Sequence, residues 1–296
     1  MSNLYQRTLS LAGLNISGLS IEDLRALVRT ILDNKIHGLS FSPYVAGQGP
    51  GTQLEAAQIR ERLAIIQPYV RWIRSFSCSE GNELIPGIAF ENGLKTLVGV
   101  WLGDDREQNE IEIANAIDIA NAGHASILAV GNEVLLRGDL VEDELIDYIK
   151  RVKAATPQDV PVGYVDAYFE FVDHPRITET CDVLLANCYP FWEGCPAEYA
   201  LLYMKDMYRR VQNVANGKRI VVSETGWPNV GTPTEASIPS FENAIKYFVD
   251  TYQWAEQDGI EIFYFSSFDE AWKVDAEGDV GAYWGLWDAD GTPKYV

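Results

Sequence analysis

Residues 221–231 read V-V-S-E-T-G-W-P-N-V-G. Two β-branched residues lead into Ser223 and Glu224, and Gly226, Pro228 and Gly231 then break the chain. That order describes a buried strand ending in a carboxylate, followed by an irregular loop that carries Trp227. Residues 126–137, S-I-L-A-V-G-N-E-V-L-L-R, share the design: an apolar run gives out at Gly131, Asn132 and Glu133. Two glutamates, each placed where a hydrophobic strand ends, suit the mouth of a parallel barrel, which keeps its chemistry at the C-terminal ends of its strands.

Working outward from these two stretches, strands are expected at 36–42, 69–76, 96–102, 160–165, 183–188 and 260–266 as well, which makes eight. Between them lie helical patterns at 53–68, one ending near Gly93, and others at 105–122, 142–155, 196–215 and 240–258. In 21–32, Ile21, Leu24, Leu27, Val28, Ile31 and Leu32 recur at helical spacing behind Ser20 as N-cap. This helix precedes every strand and is expected to plug or flank the barrel base. The alternation, with no repeat or low-complexity linker, predicts one (β/α)8 TIM barrel over 1–296, with 1–35 as an N-terminal helical extension. G-Q-G-P-G at 47–51 reads as a plain loop, because a dinucleotide-binding turn needs its third glycine later and a helix that does not begin with proline.

With 296 residues, 47% of them hydrophobic, the chain can fill one large barrel. Its 23 basic and 43 acidic residues leave a net charge of −20, a field that repels nucleic acid and anionic lipid. No apolar run approaches the roughly 20 residues of a membrane span. The polar start, Met1 to Gln6, is unlike a signal peptide. The chain is therefore expected in the cytoplasm, or in the cell wall or outside the cell if an export signal has been removed, where the sequon Asn15-Ile16-Ser17 would matter. A monomer is expected. Cys78, Cys181, Cys188 and Cys195 are expected as reduced, half-buried thiols, with a local Cys188–Cys195 bridge as the alternative. His37, His124 and His174 show no ligand spacing, so neither a metal nor a cofactor is expected.

The strand ends collect Tyr44, Arg74, Trp101, Asn132, Glu133, Asp166, Tyr168, Tyr189, Trp192, Glu224, Trp227, Asp269, Glu270, Trp272 and Lys273. Aromatics interleaved with carboxylates and amides suit a sugar: flat rings cover pyranose faces and polar groups hold hydroxyls. Cleaving a glycosidic bond with retention needs two carboxyls about 5–5.5 Å apart, one to protonate the leaving oxygen and one to attack the anomeric carbon. Glu133 and Glu224, on strands four and seven, can converge across the mouth.

Beyond the N-E after strand four and E-T-G-W-P after strand seven, the chain carries S-F-S-P-Y, R-S-F, G-V-W-L, V-G-Y-V-D-A, N-C-Y-P-F-W, F-D-E-A-W-K and G-A-Y-W-G-L-W in order. Over residues 36–296 this series resembles glycoside hydrolase family 17, in the clan of retaining (β/α)8 glycosidases, and most resembles bacterial and fungal β-1,3-glucanosyltransferases. The resemblance implies Glu133 as general acid/base, Glu224 as nucleophile, Asn132 on the sugar 2-hydroxyl and Tyr189 as donor to the nucleophile. It implies Glu270 and Lys273 as an accessory pair near Glu224, and Trp272 as the floor of the subsite under attack. Tyr44, Arg74, Tyr168, Phe169, Glu170, Trp192 and Trp227 are further candidates for contact with substrate. Compared with the longer plant enzymes, the segment after strand six is short, which implies an open groove without their added subdomain. The expected activity is glucanosyl transfer on β-1,3-glucan or laminari-oligosaccharides with some hydrolysis; plain endo-hydrolysis and a non-catalytic glycan-binding barrel are the alternatives.

Overall fold

The computed structural model describes Ile16 and residues 18–296; Asn15 and Ser17 of the sequon lie outside the described residues. In chain order the helices and strands are α1 (Ile21–Asp33), β1 (Ile36–Ser40), α2 (Ala56–Ile66), β2 (Val70–Arg74), α3 (Ile85–Glu91), β3 (Lys95–Val100), α4 (Arg106–Asn121), β4 (Ile127–Asn132), α5 (Val134–Arg137), α6 (Glu142–Ala155), β5 (Val162–Ala167), α7 (Glu170–Asp173), α8 (Pro175–Thr180), β6 (Val183–Asn187), α9 (Ala200–Val214), β7 (Arg219–Thr225), α10 (Phe241–Asp258), β8 (Glu261–Tyr264) and α11 (Val274–Glu277). The strands close in sequence order, all parallel, with β8 pairing back to β1. This is the expected (β/α)8 barrel.

Side-chain alternation divides the core in two. Trp72, Leu97, Ile127, Ala129, Val165, Val183, Leu185, Val221 and Phe263 pack inside the barrel, and the intervening residues, such as Leu128, Val130, Leu184 and Val222, face the helices. Gly38 belongs to the inner set: a Cβ there would lie 2.5 Å from the Phe263 ring, so its absence lets that ring fill the barrel.

Two local irregularities aim the glutamates. Three steps along β4, from Ala129 to Asn132, are matched by two along β5, from Gly163 to Val165. On β7 the step from Val222 to Thr225 is matched by the shorter step from Ile262 to Tyr264, and the same extra residue shows against β6. Each strand thus carries a bulge just before or at its functional end. By strict alternation from the inward Val221, Glu224 would point at the helices; one inserted residue turns it toward the barrel axis.

α1 flanks the barrel instead of plugging it. Its Ser20 side chain caps the helix through Asp23 N at 3.1 Å, its face of Leu24, Val28 and Leu32 is buried, and it packs along α10, where Arg25 lies 5.3 Å from the Phe241 ring centre. After β8 the chain makes only short turns, so α1 occupies the place of the eighth outer helix. All four cysteines are free and buried rather than half-buried, and Cys188 and Cys195 are not bridged. Among the described residues no helix is long and apolar enough to cross a membrane.

Candidate active site

Glu224 ends the inward side of β7 and is buried. Both of its oxygens act as acceptors: Arg74 Nη1 donates to Oε1 at 2.5 Å and Tyr189 Oη donates to Oε2 at 2.7 Å. The same guanidinium reaches Ser223 O at 3.1 Å and, through Nη2, Asn132 Oδ1 at 2.7 Å. Arg74 is only 1% exposed. This corrects its assignment as a substrate contact: it lies beneath the site and fixes the side chains of Glu224 and Asn132. Arg74→Met should cost roughly 3–5 kcal/mol of stability in chemical denaturation, because it strands a buried carboxylate without its partner; an unchanged midpoint would contradict this account of the pair.

Glu133 follows β4 with φ 52° and ψ 29°, a left-handed conformation that costs a residue with a side chain about 1–3 kcal/mol. Its backbone is held there by Glu133 N donating to Val165 O and Arg137 N donating to Glu133 O, both at 2.8 Å. Asn187 Nδ2 donates to Glu133 Oε1 at 2.8 Å, and Asn187 Oδ1 accepts from Ser223 Oγ at 2.8 Å, so one amide ties the end of β4 to that of β7. Burial first, and then the negative charge of Glu224, push the Glu133 carboxyl above its usual range, while the Asn187 bond and the cations of Arg74 and Arg137 pull it back. A raised pKa keeps an acid protonated to higher pH, so activity that needs this proton falls as pH rises through that value. Asn187→Ala removes a donor that favours the charged form; the alkaline limb of kcat/KM should move to higher pH. A limb that moves down or stays put would sever Asn187 from Glu133.

Glu133 and Glu224 line one cavity of about 460 Å³. Leu136, Tyr168, Phe169, Tyr189, Trp192, Phe265, Glu277 and Trp284 complete its wall, with the Trp192 and Trp284 ring centres 5.5 Å apart. Trp192 is 41% exposed, with a ring available at the rim. Tyr168 is steadied from behind by Arg210, whose Nη1 donates to Tyr168 Oη at 3.3 Å.

The other expected contacts divide by place. Lys273 Nζ meets Glu270 Oε2 at 2.5 Å in a buried pair, and Trp272 Nε1 donates to Glu270 Oε1 at 3.2 Å. Trp272 is 36% exposed and Tyr44 meets it edge-on with ring centres 6.2 Å apart, so these four make a cluster beside the cavity. Glu170 turns away from it: its Oε2 pairs with His174 Nε2 at 3.1 Å. Trp227 requires a correction. It is 1% exposed, enclosed by Phe191 and Tyr247, and donates to Ile238 O at 3.1 Å, so it anchors its loop and offers no face to a sugar. Asp166 faces outward, accepting from Tyr164 Oη and Ala167 N, and braces the end of β5.

Asn187, Ser223, Glu277 and Trp284 were not among the expected site residues. Asn187 was the most accessible of them, because Val183, Leu185 and Asn187 alternate inward along β6.

A closed parallel barrel whose fourth and seventh strands deliver glutamates into one aromatic-walled cavity defines a carboxylate-pair glycosidase. Residues 38–285 match the BtgE/BtgC glycoside hydrolase domain, and the chain belongs to that family, which is of the family 17 type that its motifs resemble. A glucan 1,3-beta-glucosidase of Candida albicans is 29% identical over 272 residues, covering 83% of this chain and 87% of that protein. The crystal structure of a glycoside hydrolase family 17 beta-1,3-glucanosyltransferase from Rhizomucor miehei superposes with a TM-score of 0.79 at 28% identity, over 88% of this chain and 96% of the other. An active-site mutant of that enzyme in complex with laminaritriose matches with a TM-score of 0.79 at 27% identity, over the same shares.

Proposed function

We propose that this chain cleaves β-1,3-linked glucan by double displacement with retention and passes the glucosyl unit to a sugar acceptor in preference to water. Glu224 attacks the anomeric carbon while Glu133 protonates the departing oxygen; Glu133 then takes the proton of the incoming hydroxyl as it displaces Glu224. The observation that carries this reading is the contrast between the two carboxyls. Glu224 has both oxygens fixed as acceptors by Arg74 and Tyr189, whereas Glu133 is held toward its protonated form by burial and by Glu224 itself. A carboxyl kept toward its protonated form beside one whose two oxygens are held by donors fits separate acid and nucleophile roles.

The substrate class follows the relatives, a glucan 1,3-beta-glucosidase and a beta-1,3-glucanosyltransferase whose mutant holds laminaritriose. Transfer is favoured by the apolar and aromatic lining of the cavity that holds Glu133, with Leu136, Tyr168, Phe169 and Trp192 in its wall. Rings and an aliphatic side chain there bind a pyranose face and give water few partners. Plain hydrolysis is the second reading, favoured by the glucosidase relatives. A time course on laminari-oligosaccharides, resolved by chain length, separates them. Products longer than the substrate are expected; shorter products alone would establish hydrolysis, and no change would overturn the substrate class.

A further inference from the structure

The cavity contains a third carboxylate that the mechanism above leaves idle. Glu277 ends α11, in the turns after β8, and shares the cavity wall with Glu133, Glu224 and Trp284. Its Oε2 is shielded and, among the described residues, makes no hydrogen bond of normal geometry; the same holds for Trp284 Nε1, although the indole lies near enough to lower the carboxyl's pKa. Trp284 is 2% exposed, so its N–H cannot turn to bulk water. A buried acceptor and a buried donor left unmade cost free energy, and such pairs in a native site point to a ligand group that satisfies both.

The two groups lie beside each other, with Lys273 and Glu224 also within electrostatic reach of the Glu277 carboxyl. Lys273 is already engaged by Glu270 at 2.5 Å and sits 3.8 Å from the Phe265 ring centre, so it supplies charge without bonding Glu277. The backbone holds Glu277 in place: a Cβ on Gly281 would lie 2.7 Å from Lys273 O and 2.9 Å from Glu277 Cβ, so only glycine lets the 273–277 turn fold against the turn that carries Trp284.

We propose that Glu277 and Trp284 clamp one glucosyl hydroxyl beside Glu224: the indole N–H donates to the hydroxyl oxygen, and the carboxylate accepts the hydroxyl proton. A hydroxyl is the group that satisfies a neighbouring donor and acceptor through a single atom. Burial, with the charges of Glu224 and Glu270, pushes the Glu277 carboxyl up to about 7 against the nearby Lys273 charge and Trp284 N–H, which lower it; a bound hydroxyl would favour its charged form further. Glu277 is thus a specificity residue for the ring hydroxyl pattern, and this assignment rests on the glucan-active reading above.

The test uses laminaritriose and its set of monodeoxy analogues with the unaltered protein, Glu277→Ala and Trp284→Phe. Turnover of laminaritriose by the unaltered protein tests the parent reading. On laminaritriose, Glu277→Ala should lower kcat/KM by roughly 10- to 100-fold, as expected for losing a charged hydrogen bond, and Trp284→Phe by a smaller factor. On one analogue, the one lacking the clamped hydroxyl, the unaltered protein should be equally impaired and both substitutions should then change little. The same penalty on every analogue would overturn the clamp and leave Glu277 a structural role. If the unaltered protein turns over none of these sugars, the parent reading falls and takes the clamp with it.

Discussion

Replacing Glu224 by alanine is expected to lower kcat on laminari-oligosaccharides by at least about 10⁴-fold, as loss of a nucleophile does where the remaining groups act only with it. The fold should survive, because the truncated side chain leaves Arg74 with Ser223 O and Asn132 Oδ1 as acceptors. The vacated space keeps its two donors, the guanidinium and the Tyr189 hydroxyl, facing where the carboxylate stood. A small anion should be drawn into it. Adding azide with an activated aryl β-laminaribioside should therefore restore turnover and yield the α-laminaribiosyl azide, since attack comes from the face that Glu224 occupied. The product anomer is read by NMR. Residual activity within tenfold of the unaltered protein, or a β-azide, would give the nucleophile's place to another group.

Glu133→Ala carries the second largest effect, with a different signature. Natural sugar leaving groups need the proton, and losing a positioned acid costs about 10²–10⁴-fold. A leaving group that departs without a proton, such as dinitrophenolate, should lose far less in the first step, so the glycosyl-enzyme should build up and turnover should slow at the second. The alkaline limb of the pH profile should vanish with the side chain. Glu133 is raised by burial and by Glu224, so in the unaltered protein activity is present below its pKa and lost as pH climbs through it. Equal losses on good and poor leaving groups, or an unchanged alkaline limb, would remove Glu133 from the acid role.

The barrel was legible because apolar runs ending in Gly, Asn or Pro recur between amphipathic segments, and its closure follows from their count. Strand ends were less so. Pro161 has no N–H to give a ladder, so β5 runs Val162–Ala167, two residues later than expected, and Asp166 is drawn into the strand facing the helices. The two glutamates were found by position, but their aim was not readable. Alternation from Val221 points Glu224 the wrong way, and only the bulge on β7 turns it inward. Arg74 and Trp227 have the chemistry of sugar contacts, yet both are 1% exposed, because a residue type says nothing of what packs over it. Glu277 gave no local signal and Trp284 stood out only within G-A-Y-W-G-L-W: their meeting depends on how the turns after β8 fold back at Gly281.

The central claim is that Glu224 forms a covalent bond to the sugar. Its most direct test is mass spectrometry after incubation with a 2-deoxy-2-fluoro-laminaribiosyl donor bearing a good leaving group, in which the fluorine slows release of the intermediate. One glycosyl unit per chain, located to Glu224 in the peptide that contains S-E-T-G-W-P, is the predicted result. A label on any other residue, or turnover of the unfluorinated donor with release of the inverted α-product and no label, would contradict it.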